Sequence, residues 1–133
     1  MAHSGYLVKV GNFTIPMSKI KIGSYKVTYS TLDLDSYRDA TGLLHRNVLS
    51  HKVGKVEFNM PYVYESDFDS FMASIRGQYT DALEKKASVT IYVPELNEYI
   101  TQDMYMPDME ISILQNSPNG LILDQPRICF IGY

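Results

Sequence analysis

The chain has 133 residues, a hydrophobic fraction of 45%, a charged fraction of 20% and a net charge of −3. This length gives one domain over 1–133 with its own core, and the composition excludes disorder. The acidic balance excludes simple electrostatic capture of nucleic acid, and no apolar run reaches the roughly 18 residues of a membrane span.

The N-terminal stretch MAHSGYLVKV has no long apolar segment and no small-residue cleavage site, so no secretory leader is expected. Cys129 is the single cysteine, which rules out an internal disulfide and fits synthesis in a reducing cytosol. Eleven tyrosines without a tryptophan favour strands and half-wet interfaces.

Tyr6 to Val10 reads as a first strand, Gly11-Asn12 as a turn, and Phe13-Thr14-Ile15 as a short return strand that Pro16 interrupts. Residues 19–32 alternate as a strand with a bend or bulge at Gly23. Residues 33–47 lose the alternation and are dense in Asp, Arg, Ser and Thr. Strand pattern returns from Val48 to Met60, with Val56, Phe58 and Met60 on one face. Two long strands around a polar segment predict a long hairpin with an extended tip, and a tip of that length is usually functional.

Ser66 to Gly77 reads as the one clear helix. Ser66 is the expected N-cap with Asp69 three residues on, Gly77 the expected stop, and Phe68, Phe71, Met72 and Ile75 form one apolar stripe. The segment 79–86 adds at most a helical turn around Ala82-Leu83. Val89, Ile91 and Val93 mark the next strand, Pro94 to Asn97 a hairpin turn, and 98–106 its return. A strand over 109–114, a loop at 116–120 and a last strand from Leu121 to Tyr133, bent at Pro126, complete the chain. The sum is seven to nine strands and one mid-chain helix. That is a mainly β fold, a β-sandwich or partly open barrel with a long hairpin arm.

Chemistry has few anchors. His3, His45 and His51 form no HExxH or clustered set, so no zinc site is expected, and His45 and His51 read as solvated. Asp33, Asp35 and Asp39 lack the glycine and glutamate spacing of an EF-hand and have Arg38 as a counter-ion. Cys129 sits in an apolar strand and reads as a buried small hydrophobe, while Met104, Met106 and Met109 read as core or interface filling. No nucleophile elbow or phosphate loop is present, so no cofactor and no enzymatic activity are expected. The residues that stand out are those of the arm. Asp35, Tyr37, Arg38, Asp39, Leu43, Leu44 and Arg46 set apolar groups among charges, away from the predicted core, where they are exposed as on a surface loop unless a neighbour covers them.

Residues 20–27, 34–48 and 52–58 together carry I-x-I-G-x-Y-x-V, then L-D-S-Y-R-D-A-T-G-L-L-H-R-N-V, then K-V-G-K-V-E-F. This order resembles small tail proteins of phages and prophages of Gram-positive bacteria. The matching positions are Ser36, Arg38, Gly42, Leu43 or Leu44, and Arg46, followed by the mid-chain helix and the V-T-I-Y-V-P-E strand. The resemblance implies a tail-tube-like β-sandwich in the virion that assembles with itself into rings, commonly hexamers, in the tail tube or the tail tip and baseplate. Neighbouring tail proteins would be its other partners, and DNA would pass without sequence-specific binding. Arms of this kind can bridge subunits, with Arg38 and Arg46 facing carboxylates such as Asp33, Asp35 and Asp39. The competing expectation is a small-ligand-binding β-barrel with tyrosine and methionine around a cavity.

Overall fold

The computed structural model describes residues 3–133. Met1 and Ala2, at the start of the stretch read for a leader, lie outside the described residues. Clean alternation gives clean strands. In β1 (Val8–Val10) both valines are buried and Lys9 points away, and a tight turn leads to β2 (Phe13–Thr14). A single 3₁₀ turn at Met17–Lys19 follows Pro16. Then come β3 (Lys26–Asp33), the short pair β4 (Tyr37–Arg38) and β5 (Leu44–His45), and β6 (Val48–Asn59). β7 (Val63–Tyr64) runs straight into α1 (Glu65–Arg76). The chain ends with β8 (Lys86–Val93), β9 (Glu98–Tyr105), β10 (Ile113–Ser117), β11 (Gly120–Leu123) and β12 (Arg127–Gly132). The described residues thus hold twelve strands, more than the seven to nine expected, because four of them are only two residues long.

Seven strands form one antiparallel sheet in the order β2-β1-β8-β9-β12-β6-β3. A second sheet has the order β10-β11-β7. The large sheet coils so far that the Tyr25 hydroxyl, just before β3, donates to the Tyr92 carbonyl of β8 at 3.0 Å. Burial pushes that phenol well above its usual pKa. The sheet still keeps two free edges, β2 and β3, so it is not the closed barrel of the ligand-binding alternative. Its concave face carries Val8, Val56, Phe58, Ile91, Met104 and Phe130 into one core. Helix α1 closes that core with Phe68, Phe71, Met72 and Ile75, the stripe its spacing predicts. Phe71 meets Phe13 edge-on, with ring centroids 5.9 Å apart. Met104 and Met106 are buried in the core, and Met109 packs against it.

Five expectations give way. The strand over 19–32 begins only at Lys26: Ile20 is buried but Ile22 is 99% exposed, since residues 21–24 form a turn in which the Ser24 amide donates to the Lys21 carbonyl. Ser66 is not the N-cap. The helix starts one residue earlier, directly from β7, and Glu65 and Asp67 supply the favourable negative charge of its first turn. The segment around Ala82-Leu83 is a turn gathered by Asp81, whose Oδ1 accepts from the amides of Leu83 and Glu84. The strand expected over 109–114 lies at Ile113–Ser117, and the last strand is two, because Leu123 pairs with Val63 in the small sheet and Arg127 with Asn59 in the large one. No helix among the described residues is long and apolar enough to cross a membrane.

Candidate functional site

The arm grows out of the β3–β6 ladder. Pairing runs regularly from Lys26 opposite Glu57 to Thr31 opposite Lys52, then shifts register and ends at Asp33 opposite Val48. Beyond it, Tyr37 faces His45 and Arg38 faces Leu44 in a two-residue ladder of their own. A hairpin that leaves its sheet loses the neighbours that would hold it, so its order has to come from local polar contacts.

Asp39 is the centre of the tip. Its Oδ1 accepts from the Thr41 hydroxyl at 2.7 Å and from the amides of Thr41 and Leu43 at 2.9 and 3.1 Å. Its Oδ2 lies 2.8 Å from His45 Nε2. The Thr41 hydroxyl foremost, then His45, holds the Asp39 carboxyl down at about 2. The His45 ring stacks on Tyr37 at 4.8 Å. Arg46 clamps Asp33 with two bonds of 3.0 and 3.2 Å, and that hydrogen bonding lowers the Asp33 pKa. Arg38 donates to the Gly42 carbonyl at 2.9 Å, and the Asn47 amide to Ser36 Oγ at 3.1 Å. Asp35 turns the chain with φ +54.

The structure therefore brings Tyr37, Arg38, Asp39, Leu43, Leu44 and Arg46 into one arm, and it pairs two of the arm's acids within it, Asp33 with Arg46 and Asp39 with His45. The carboxylate that Arg46 was expected to find next door is Asp33 of the same chain. His45 and His51 are not simply solvated either; His51 Nε2 lies 2.5 Å from the Tyr133 carbonyl oxygen. Among the exposed groups of the arm are large apolar ones: Tyr37 is 59% and Leu43 62% exposed. Leu34, Val48 and Leu49, next to the arm in the chain, are exposed as well. Their sequence signal was present, as isolated aliphatic residues within or next to a polar run. A preorganised, apolar-tipped arm is suited to contact with protein rather than to chemistry. Among the described residues no group of His, Cys, Asp and Glu is arranged to hold a metal ion. Burial pushes the Cys129 thiol up, away from the reactive thiolate.

The profile of the family of unknown function DUF6711 matches residues 1–133. The chain belongs to that family. No curated protein matches it. Two solved chains share its fold. One is from the tail of an empty gene transfer agent (GTA) particle, obtained by helical refinement with C6 symmetry; it is 13% identical, with a TM-score of 0.52, over 99% of this chain and 95% of that one. The other is from the virion of a native GTA particle, at 12% identity and the same TM-score and coverage. At such identities the likeness establishes the fold, a mainly β chain with one helix of the kind found in those particles.

The arm's dependence on Asp39 has a pH consequence. Its folded pKa lies below the ordinary value of 3.8, so its contribution is present above that value and is lost as pH falls through about 2. Protection of the Thr41 and Leu43 amides, taken relative to their intrinsic exchange rates at each pH, is expected to hold at pH 4 and to fall between about pH 3 and 2. Unchanged protection from about pH 4 to 2 would show that Asp39 does not hold the tip.

Proposed function

We propose that this DUF6711 chain is a non-enzymatic structural subunit of a phage-type tail, forming rings in the tail tube or the tail tip and baseplate through which DNA passes. The observation that carries this reading is the fold match. It runs over 99% of the chain, and the matched chain comes from a tail refined with C6 symmetry. The arm supports it, since an ordered hairpin with exposed Leu34, Tyr37, Leu43 and Leu44 suits a neighbouring subunit. The free edges β2 and β3 give further places for a neighbouring strand to add. The net charge of −3 suits a wall along which DNA slides without sticking.

Light scattering with negative-stain imaging of the concentrated protein is expected to find rings or short tubes. A strict monomer that is also absent from tail particles by mass spectrometry would overturn the proposal. Replacing Arg38 and Arg46 with alanine is expected to weaken assembly severalfold while the fold persists. Both are exposed, and an exposed, solvent-screened pair such as Arg46–Asp33 adds little to the stability of the fold. A double variant that melts far below the parent while monomeric would make the arm part of the core instead.

A further inference from the structure

We propose that a second copy of the chain inserts Ile22, at the tip of the Lys21–Ser24 turn, into the apolar groove between α1 and the β10–β11 hairpin. The inference rests on the reading of the chain as a self-assembling subunit and names a contact separate from the arm. Ile22 is 99% exposed, so its own chain gives it no cover. It is not loosely held. The Ser24 hydroxyl donates to the Lys21 carbonyl at 2.6 Å and accepts from the Asn59 amide at 3.1 Å. The Lys21 amide donates to the Asn59 carbonyl at 2.8 Å. An aliphatic side chain presented on a fixed turn loses little freedom on docking.

The surroundings of Ile22 are cationic. Lys21, Lys26 and Arg127 line the depression beside it, with Glu57 as its one carboxylate. Glu57 is engaged by Arg127, and the Lys21 ammonium donates to the neutral Gln125 amide oxygen at 3.0 Å. The groove has the opposite character. Its volume is about 330 Å³, with Phe68, Met72, Ile113 and Leu123 as apolar lining. Glu65, Asp69 and Arg76 also line it; Arg76 reaches Asp69 at 3.4 Å, which leaves Glu65 to give the groove its net negative charge. Ile113 is 59% exposed, which leaves the groove open to a partner's side chain. Lysine next to an apolar knob and glutamate next to an apolar groove are complementary in both shape and sign. The arm tip fits this groove less well, because Arg38 is engaged on Gly42 and the arm brings Asp35 and Asp39 toward a groove of net negative charge.

The knob and the groove share no lining residue, and in the head-to-tail contact proposed here each dimer keeps one of each free for the next subunit. Such a contact repeats into a ring where the rotation closes and into a filament where it does not.

Sedimentation velocity on the wild type, Ile22→Asp, Ile113→Asp and an equal mixture of the two variants tests this. Both substitutions fall on exposed side chains, and a thermal melt confirms that each variant folds. The wild type is expected to associate, and each variant alone to associate at least tenfold more weakly. The mixture is expected to recover a dimer and nothing larger, since one variant keeps an intact knob and the other an intact groove. Glu65→Lys is expected to weaken the wild-type contact and Lys21→Glu in the second copy to restore it. Variants that associate as the wild type does would overturn this contact while leaving a ring held by the arm. A mixture as weak as its components, or a mixture that Leu43→Asp in both copies abolishes, would overturn it as well. So would a wild type that stays monomeric to about 1 mM, roughly −4 kcal/mol of association; the presence or absence of the chain in tail particles then decides the tail reading separately.

Discussion

Phe71→Ala is expected to destabilise the domain by about 3–5 kcal/mol, which lowers the melting temperature by about 10–20 °C. Phe71 is 4% exposed and lies between the flanking stripe residues of α1 and the ring of Phe13 on the edge strand β2. Truncation removes a whole ring from the core, and the space cannot collapse cheaply. One wall is a sheet whose register is fixed by β1 and β8, and the other is a helix tied at its start to β7. The loss should grow because α1 closes the concave face of the large sheet by this stripe alone. A differential scanning melt of Phe71→Ala beside Leu83→Ala gives the check. Leu83 is 95% exposed, so its variant should melt with the parent. Equal melting of both would mean that the stripe is not core.

That stripe was legible because a helix repeats its buried face every three to four residues, and four apolar side chains at that spacing fit a buried helix face and little else. β8 was legible for the parallel reason, since Ala87, Val89, Ile91 and Val93 alternate over a strand with neighbours on both sides. The same alternation misleads at Ile20 and Ile22. A pattern fixes a strand only where another strand runs alongside to pair with it, and the Lys21–Ser24 turn is hydrogen-bonded to β6 at its last residue, Asn59, with no ladder along it. Ser66 has the chemistry of a cap, but the pairing of Tyr64 with Ile122 sets the helix start instead. The break of the last strand at Asp124 to Pro126 depends on which sheet each half joins, and no local residue preference carries that information.

The arm divides the same way. Its existence showed in the sequence as a polar interruption between two alternating runs. Its internal wiring did not, because the Tyr37–His45 stack and the reach of Asp39 to three donors and an imidazole follow from one register and one turn. That wiring changes what the arm can offer. Asp39, His45, Asp33 and Arg46 are used to hold the arm in shape, and Tyr37, Leu43 and Leu44 are left exposed for the contact proposed above. Contacts of this kind are set by shape and apolar area, so salt should weaken arm-mediated assembly less than a charge-paired arm would require.

Gln102→Leu is expected to cost about 2–4 kcal/mol, a large effect for a half-buried polar residue. β12 lies between β6 and β9, but it ends at Gly132, so β6 and β9 would face each other across a gap beyond that point. The Gln102 side chain fills it as a short piece of strand would. Its Oε1 accepts from the Gly54 amide at 2.8 Å, and its Nε2 donates to the Lys52 carbonyl at 2.7 Å. Leucine has nearly the same shape and offers neither group, so a buried N–H and a carbonyl lose their partners together. The two flanking glycines belong to the same device. A Cβ on Gly132 would fall 2.4 Å from Gln102 Oε1 and 3.0 Å from the Gly54 carbonyl oxygen, and one on Gly54 would fall 2.9 Å from the Met104 methyl. Gly132→Ala should therefore expel the amide and destabilise by a similar amount, with little further loss in the double variant, because both remove one shared set of contacts. Urea unfolding of the two single variants and the double variant measures this directly. Losses that add in full, or a Gln102→Leu midpoint equal to the parent, would mean that the amide does not bridge the two strands.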